Sequence, residues 1–156
     1  MVVVPTREFV HVFIERDGVG LFLQHRDNIP GIFAPNKLGV FGGHIDPEDV
    51  SPEAAGIREL REETGIVVAN LLPLGVIESD GIDPRRDRIH KIVHAFLTIV
   101  EPQLCIPVFE GQGGKTLFFG QPIPRDPQPT GTLVRELGMY FSNEFPNIGD
   151  FYEATA

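Results

Sequence analysis

Glu59, Glu62 and Glu63 stand at i, i+3 and i+4, a spacing that puts three carboxylates on one face of an α-helix. Like charges so placed repel by roughly a few tenths of a kcal/mol per pair. A divalent cation that prefers hard oxygen ligands is the simplest counter-charge. The plain alternative is a surface helix with solvated charges, and spacing alone leaves both readings open.

The elements that would position these acids are legible nearby. Ser51 suits the helix N-cap, Pro52 the first helical position, and Glu53 the positive end of the dipole. Gly65 suits the left-handed residue that closes a helix. Ile57, Leu60 and Thr64 fall opposite the glutamates, so the helix is expected to bury that stripe and present the acids. Ala55 and Gly56, close to the acidic face, are small enough to leave room for a metal and its ligand. Upstream, Val40 and Phe41 read as a short strand leading into Gly42-Gly43. Strand, glycine turn and helix is an order that brings backbone N–H groups close to phosphate.

The segment Gly42–Ile66, GGHIDPEDVSPEAAGIRELREETGI, resembles the box of the Nudix hydrolases, which cleave nucleoside diphosphates linked to another group. Its helical half, Arg58-Glu59-Leu60-Arg61-Glu62-Glu63-Thr64-Gly65-Ile66, matches without a gap. Asp49 follows Gly43 by six residues but precedes Arg58 by nine, so the loop before the helix is one residue longer than the family pattern, and both Glu48 and Asp49 are eligible for its first acid. The resemblance implies an α/β/α sandwich, a mixed sheet flanked by helices, as a single domain over residues 1–156. It implies that Glu59, Glu62 and Glu63 bind Mg²⁺ (or Mn²⁺), that Arg58 orients the glutamate helix through a salt bridge, and that Gly65 and Arg58 are structural. Gly43 would contribute its backbone to substrate binding.

A second candidate lies far along the chain. Glu110-Gly111-Gln112 reads by itself as a polar turn, but MutT-type members of that family carry a similar turn whose glutamate reaches back to the metal. The resemblance therefore adds Glu110 as a metal ligand or general base beside Glu59 and Glu62, with Glu101 and Glu78 as weaker candidates. Substrate contacts are expected from cations. Arg85, Arg86, Arg88, His90, Lys91 and His94 crowd together in a chain with only 13 Lys and Arg, and Arg86 and Arg88 sit in a stretch that reads as loop. His90 and His94 share a strand face, where a core or a pocket position is open to each. Arg26, with His25 and Asp27, and Asn36 with Lys37, are placed to line a pocket rim.

The chain of 156 residues carries a net charge of −9, which argues against general nucleic-acid binding and makes a cation a requirement for phosphates to be held on its carboxylates. There is no apolar run of about 18 residues and no basic-then-apolar start, so a cytoplasmic location is the default, with no membrane partner. The single cysteine, Cys105, excludes an intrachain disulfide and is expected to be a buried thiol. Strands are expected at residues 9–15, 20–25, 71–79, 89–100, 104–109 and 115–119, turn-rich loops at 26–38 and 80–88, and a second amphipathic helix at 132–145. No P-loop, nucleophile elbow, HExxH or EF-hand pattern is present. The reading is a metal-dependent pyrophosphohydrolase acting on a small nucleotide; a homodimer is left open, since dimers are common in that family. The alternatives are a Nudix-fold binding or regulatory module without catalysis, and a Nudix-fold diphosphate isomerase drawing on Cys105.

Overall fold

The computed structural model describes residues 1–144, with side chains through Phe141. In chain order the elements are β1 (Thr6–Arg16), β2 (Gly20–His25), β3 (Leu38–Gly39), β4 (Phe41–His44), α1 (Pro52–Thr64), β5 (Leu72–Ile82), β6 (Arg88–Val100), β7 (Gly113–Phe118) and α2 (Gly131–Glu144). The sheet runs β3-β2-β1-β6-β5, with β4 paired to β1 and β7 to β2. It is mixed: β1 and β6 are parallel along the whole of β1, and the other pairs are antiparallel.

Strand periodicity sorts β1 between two layers. Val12 and Ile14 pack with Leu60 and Leu71 on the α1 side, while Phe13 packs with Leu133, Leu137 and Tyr140 on the α2 side. A strand covered on both faces has no polar face, which explains its nearly unbroken apolar run. Gly56 is buried where α1 meets the sheet. A Cβ there would come 2.8 Å from Leu71 and 3.1 and 3.2 Å from Val10 and Val12. The small residue thus serves close helix–sheet packing and not, as expected from sequence, space for a metal. That burial offsets the roughly 0.5–1 kcal/mol that glycine costs inside a helix.

Several boundaries differ from the sequence reading for identifiable reasons. Asp80–Ile82 continues β5, because Asp80 pairs with His90 and Ile82 with Arg88 across a hairpin. Residues 104–109 form no strand: Pro102 and Pro107 lack ladder donors, and Arg16 holds the segment instead by donating to the carbonyls of Pro102 and Leu104 at 3.0 and 2.7 Å. Cys105 is consequently exposed, not buried. β4 begins at Phe41, leaving Val40 between strands, and β7 begins at Gly113. The helix expected at 132–145 appears as α2, with Phe145 outside the described residues. Among the described residues no helix is long and apolar enough to cross a membrane.

Candidate active site

The start and end of α1 are fixed by the residues that sequence singled out. The Ser51 side chain accepts from Ala54 N at 3.0 Å, and Gly65, at φ 73°, donates from its N–H to the Arg61 carbonyl at 2.9 Å. Glu53 does more than complement the dipole, accepting from Leu71 N at 2.8 Å and so tying the first turn to the chain leaving the helix.

The three glutamates do not share one environment. Glu62 is exposed, Glu59 is partly buried, and Glu63 is only 2% exposed. The stripe of acids expected to face solvent is therefore tilted into the protein at Glu63. Its Oε2 accepts from Gly42 N at 3.0 Å, and burial, aided by the neighbouring Glu110 charge, pushes its carboxyl up to about 8. Burial also raises Glu59, against the lowering influence of Arg58. Glu59 lies close against Gly43, where a Cβ would come 2.7 Å from Glu59 Oε1.

Arg58 is the hub of the preceding loop. It donates to Asp49 from Nε at 3.0 Å and from Nη2 at 2.8 Å, to Glu59 at 2.9 Å and to Glu62 at 3.2 Å. Asp49 also accepts from Asp46 N at 2.8 Å, and its carboxyl is held below the usual range mainly by the Arg58 hydrogen bonds. Of the two acids left open by the longer loop, Asp49 is the one engaged by the helix arginine, and Glu48 is exposed.

Glu110 is brought to this face by a clamped turn. Phe109 N donates to the Glu63 carbonyl at 2.8 Å, Gln24 Nε2 donates to the Glu110 carbonyl at 2.9 Å, and Gln112 N donates to the His25 carbonyl at 2.8 Å. Gln112 Nε2 further donates to the Arg26 carbonyl and to Asn36 Oδ1, at 2.7 and 2.9 Å. The turn is thus fastened to the last turn of α1 and to the end of β2. Buried Gln24 was not singled out by sequence, where an amide in an apolar strand was the available signal.

A cavity of about 630 Å³ opens beside this acidic face, lined by Gly42, Gly43 and Glu110 on one side. Arg26 lines it, with its guanidinium lowered from the ordinary value by burial and its Nε donating to the Phe33 carbonyl at 2.8 Å. Arg7, His11, Phe9, Phe33, Arg85 and Lys91 supply other walls. Arg86 and Arg88, the cations expected to bind substrate, do not line it. Arg88 points away from the α2 layer by strand alternation, and Arg86 caps the 83–87 turn in a left-handed conformation, φ 71°. His90 and His94 lie on the α1-side face of β6 beside Asp80 and Glu8, at 3.2 and 3.4 Å, outside the cavity. Glu78 is 3.8 Å from His90, and Glu101 is exposed beyond β6. His11 meets Glu136 at 2.5 Å. Glu136 was missed, although its place between Leu133, Leu137 and Tyr140 on the apolar stripe of α2 marks it as a buried acid with a polar partner.

No three His, Cys, Asp or Glu side chains among the described residues close into a ready coordination sphere. Arg58 draws Glu59 and Glu62 toward its guanidinium, and Glu63 turns to Gly42. The donor set nevertheless fits a hard divalent cation: two carboxyls raised by burial, a third exposed beside them, and Glu110 adding charge.

A glutamate helix behind a glycine loop, beside a nucleotide-sized cavity in a mixed sheet with two helices, defines the MutT/Nudix class of folds. The NUDIX domain model matches residues 5–112, and the chain belongs to the Nudix family. It is similar to the MutT protein from Methanosarcina mazei Go1 (18% identity, 94% of this chain and 99% of that one, TM-score 0.71). It is also similar to the MutT NUDIX hydrolase from Burkholderia pseudomallei (25% identity, 86% and 97%, TM-score 0.63). A third likeness is to a bifunctional NMN adenylyltransferase/ADP ribose pyrophosphatase from Francisella tularensis, complexed with AMP and Mn ion (16% identity, 92% and 43%, TM-score 0.64). The chain spans about half the length of that protein (43%) and of a MutT/nudix family protein from Enterococcus faecalis (48%). No curated protein sequence matches it.

Proposed function

We propose that the protein is a divalent-metal-dependent pyrophosphohydrolase of a nucleoside diphosphate linked to another group. The observation that carries this reading is the opening of the Glu59–Glu63 face, across Gly42 and Gly43, onto a cavity of about 630 Å³, within the roughly 300–1,000 Å³ range of small-ligand sites. Glu59, Glu62 and Glu63, with Glu110, would hold Mg²⁺ or Mn²⁺. The cation, when bound, would neutralise phosphate charge and make water a better nucleophile.

The chain's own groups supply the remaining requirements. Attack by water forms a new O–P bond, breaks the anhydride P–O bond and releases a proton, leaving two phosphorylated products. Glu110, on a turn clamped to both α1 and β2, is the proposed proton acceptor. Arg26, which lines the cavity and feels the charges of Glu110 and Glu63, is the proposed substrate contact that offsets the charge of the departing phosphate. Cys105 is exposed and does not line the cavity, so the thiol that an isomerase would draw on is not at this site.

The test is turnover of a panel of nucleoside triphosphates, nucleotide sugars and dinucleoside polyphosphates with Mg²⁺, followed by ³¹P NMR. Cation-dependent cleavage that falls by about 10²-fold or more in Glu62→Gln supports the reading. Binding without turnover of any member points instead to a regulatory module, and conversion without phosphate or pyrophosphate release points to an isomerase.

A further inference from the structure

Lys91 lies on β6 opposite Arg7 of β1, so two cations occupy neighbouring positions on the same sheet face. Their circumstances differ. Arg7 is paired with Asp83 at 3.2 Å. The Lys91 ammonium sits 5.5 Å from the Phe9 ring centre and 5.3 Å from that of Phe33, and it makes no ion pair among the described residues. Its stem is pressed onto β5 at Gly81, where a Cβ would come 3.0 Å from Lys91 Cδ. The side chain is thus steered into the cavity wall and not released to solvent.

This arrangement leaves a charge without a direct ion pair among the described residues. Lys91 is half-buried, and cation–π contacts offset only part of what it costs to draw an ammonium out of water. Glu136, the acid on the α2 side that acts on Lys91, is held by His11 at 2.5 Å. Burial lowers the affinity of Lys91 for its proton, the Glu136 charge opposes this, and Arg26 lowers it further, so the two cations feel each other inside one cavity. Arg26 in turn feels Glu110 and Glu63. Phe33 joins the two cations, its carbonyl accepting from Arg26 Nε at 2.8 Å and its ring facing the Lys91 ammonium at 5.3 Å, so the order from the acidic face is Arg26, then Lys91. A substrate spanning it would meet a metal-binding end first and an anion-binding end last.

We propose that Lys91, with Arg26, is an anion-recognition residue that takes a phosphate of the substrate beyond the diphosphate that is cut. The inference rests on the hydrolase reading for the identity of its ligand, and it narrows the substrate class to nucleoside diphosphate derivatives bearing a further phosphate. That phosphate has two chemical sources, a longer polyphosphate chain or a phosphomonoester on a sugar.

The first arm of the test needs no turnover. The full chain in EDTA is melted in inorganic phosphate and in chloride of equal ionic strength. Wild type and Glu62→Gln should gain about 3 °C or more in phosphate, and Lys91→Met, which keeps the stem, should gain about 1 °C or less. Lys91→Gln gives the same readout if the Met variant does not fold. No gain in wild type, or an equal gain in the Lys91 variant, overturns the proposal. The second arm compares kcat/KM for substrate pairs that differ by one phosphate: diphosphate against triphosphate, and a dinucleotide against its ribose-phosphorylated form. A preference of about tenfold or more in one pair that Lys91→Met erases supports the proposal and identifies the source. Equal turnover within both pairs, or a preference that survives in Lys91→Met, overturns it. If no diphosphate is cleaved at all, the hydrolase reading falls, while the phosphate arm still decides Lys91.

Discussion

Glu63 Oε2 accepts a hydrogen bond from Gly42 N at 3.0 Å, joining the last turn of α1 to the glycine loop that precedes the helix in sequence. This contact fastens the loop to the acids, and the two glycines in the loop have separable duties.

Gly42 and Gly43 are expected to respond differently to alanine. At Gly42, φ is 146° and a Cβ would lie 2.0 Å from the Val10 carbonyl oxygen, which is fixed backbone. Gly42→Ala should therefore destabilise the fold by roughly 2 kcal/mol or more, seen as a fall in Tm of roughly 5 °C or more. At Gly43 the obstructing atom is the free end of the Glu59 side chain, 2.7 Å away, which can swing aside. Gly43→Ala should melt within about 2 °C of wild type and lose about tenfold or more in kcat/KM. Equal Tm losses in the two variants would contradict this division.

Metal-free stability should fall as pH rises toward 8. The Glu63 carboxyl is held at about 8 in the folded protein against an ordinary value of 4.5, so between these values the folded state binds a proton that the unfolded state has released. Its contribution is complete below about pH 4.5 and is lost as pH climbs through about 8. At about 1.4 kcal/mol per unit as an upper bound, Tm in EDTA should drop by roughly 5–10 °C between pH 5 and 8.5. Glu63→Gln should flatten the slope, and excess Mg²⁺ should raise Tm more at pH 8.5 than at pH 5. A wild-type slope matching that of Glu63→Gln would remove the basis of the prediction.

What sequence revealed and what it concealed follow from the range of the interactions involved. The caps of α1, Ser51 and Gly65, and the strands β1, β2 and β6 depend on local periodicity and turn chemistry, and they were legible. The unequal burial of Glu59, Glu62 and Glu63 was not, because it depends on how α1 is tilted against Val10 and Val12 through Gly56. Arg86 and Arg88 looked like substrate contacts from charge density alone, yet the Asp83 turn aims that charge elsewhere. Asp83 accepts from the N–H groups of Arg85 and Asp87 at 2.8 and 2.9 Å and pairs with Arg7. Lys91 was one cation among six in sequence. The parallel register of β1 and β6 puts it beside Phe9 and Phe33, and no local rule specifies that register.

The two acids of the longer loop can be told apart by stability. Asp49 is 8% exposed in its side chain and accepts twice from Arg58, so Asp49→Ala leaves the guanidinium short of its main partner. A loss of about 1.5–3 kcal/mol is expected, or a fall in Tm of roughly 3–10 °C. Activity should fall with it, since Glu59 and Glu62 share the same arginine. Glu48→Ala should be silent within about 0.5 kcal/mol. Thermal melts of the two variants at pH 7 are the measurement, and a larger loss in Glu48→Ala would reassign the first acid of the loop.

Glu110 is the most exposed test of the proposed chemistry. Its backbone is fixed independently of its carboxylate, by Gln24 on its carbonyl and by the neighbouring Phe109 N–H on Glu63, so Glu110→Gln should fold as wild type. If the carboxylate accepts the proton from the attacking water, kcat should fall by about 10²–10⁴-fold while KM stays within about threefold. The same substitution removes a charge that raises Glu63, so the folded-state value of Glu63 should fall below about 8. The window between that value and 4.5 then narrows, and the metal-free decline in Tm with rising pH should be shallower than in wild type. The two readouts report different contacts of one side chain. A shallower slope with unchanged kcat would leave Glu110 beside the acidic face but remove it from the chemistry.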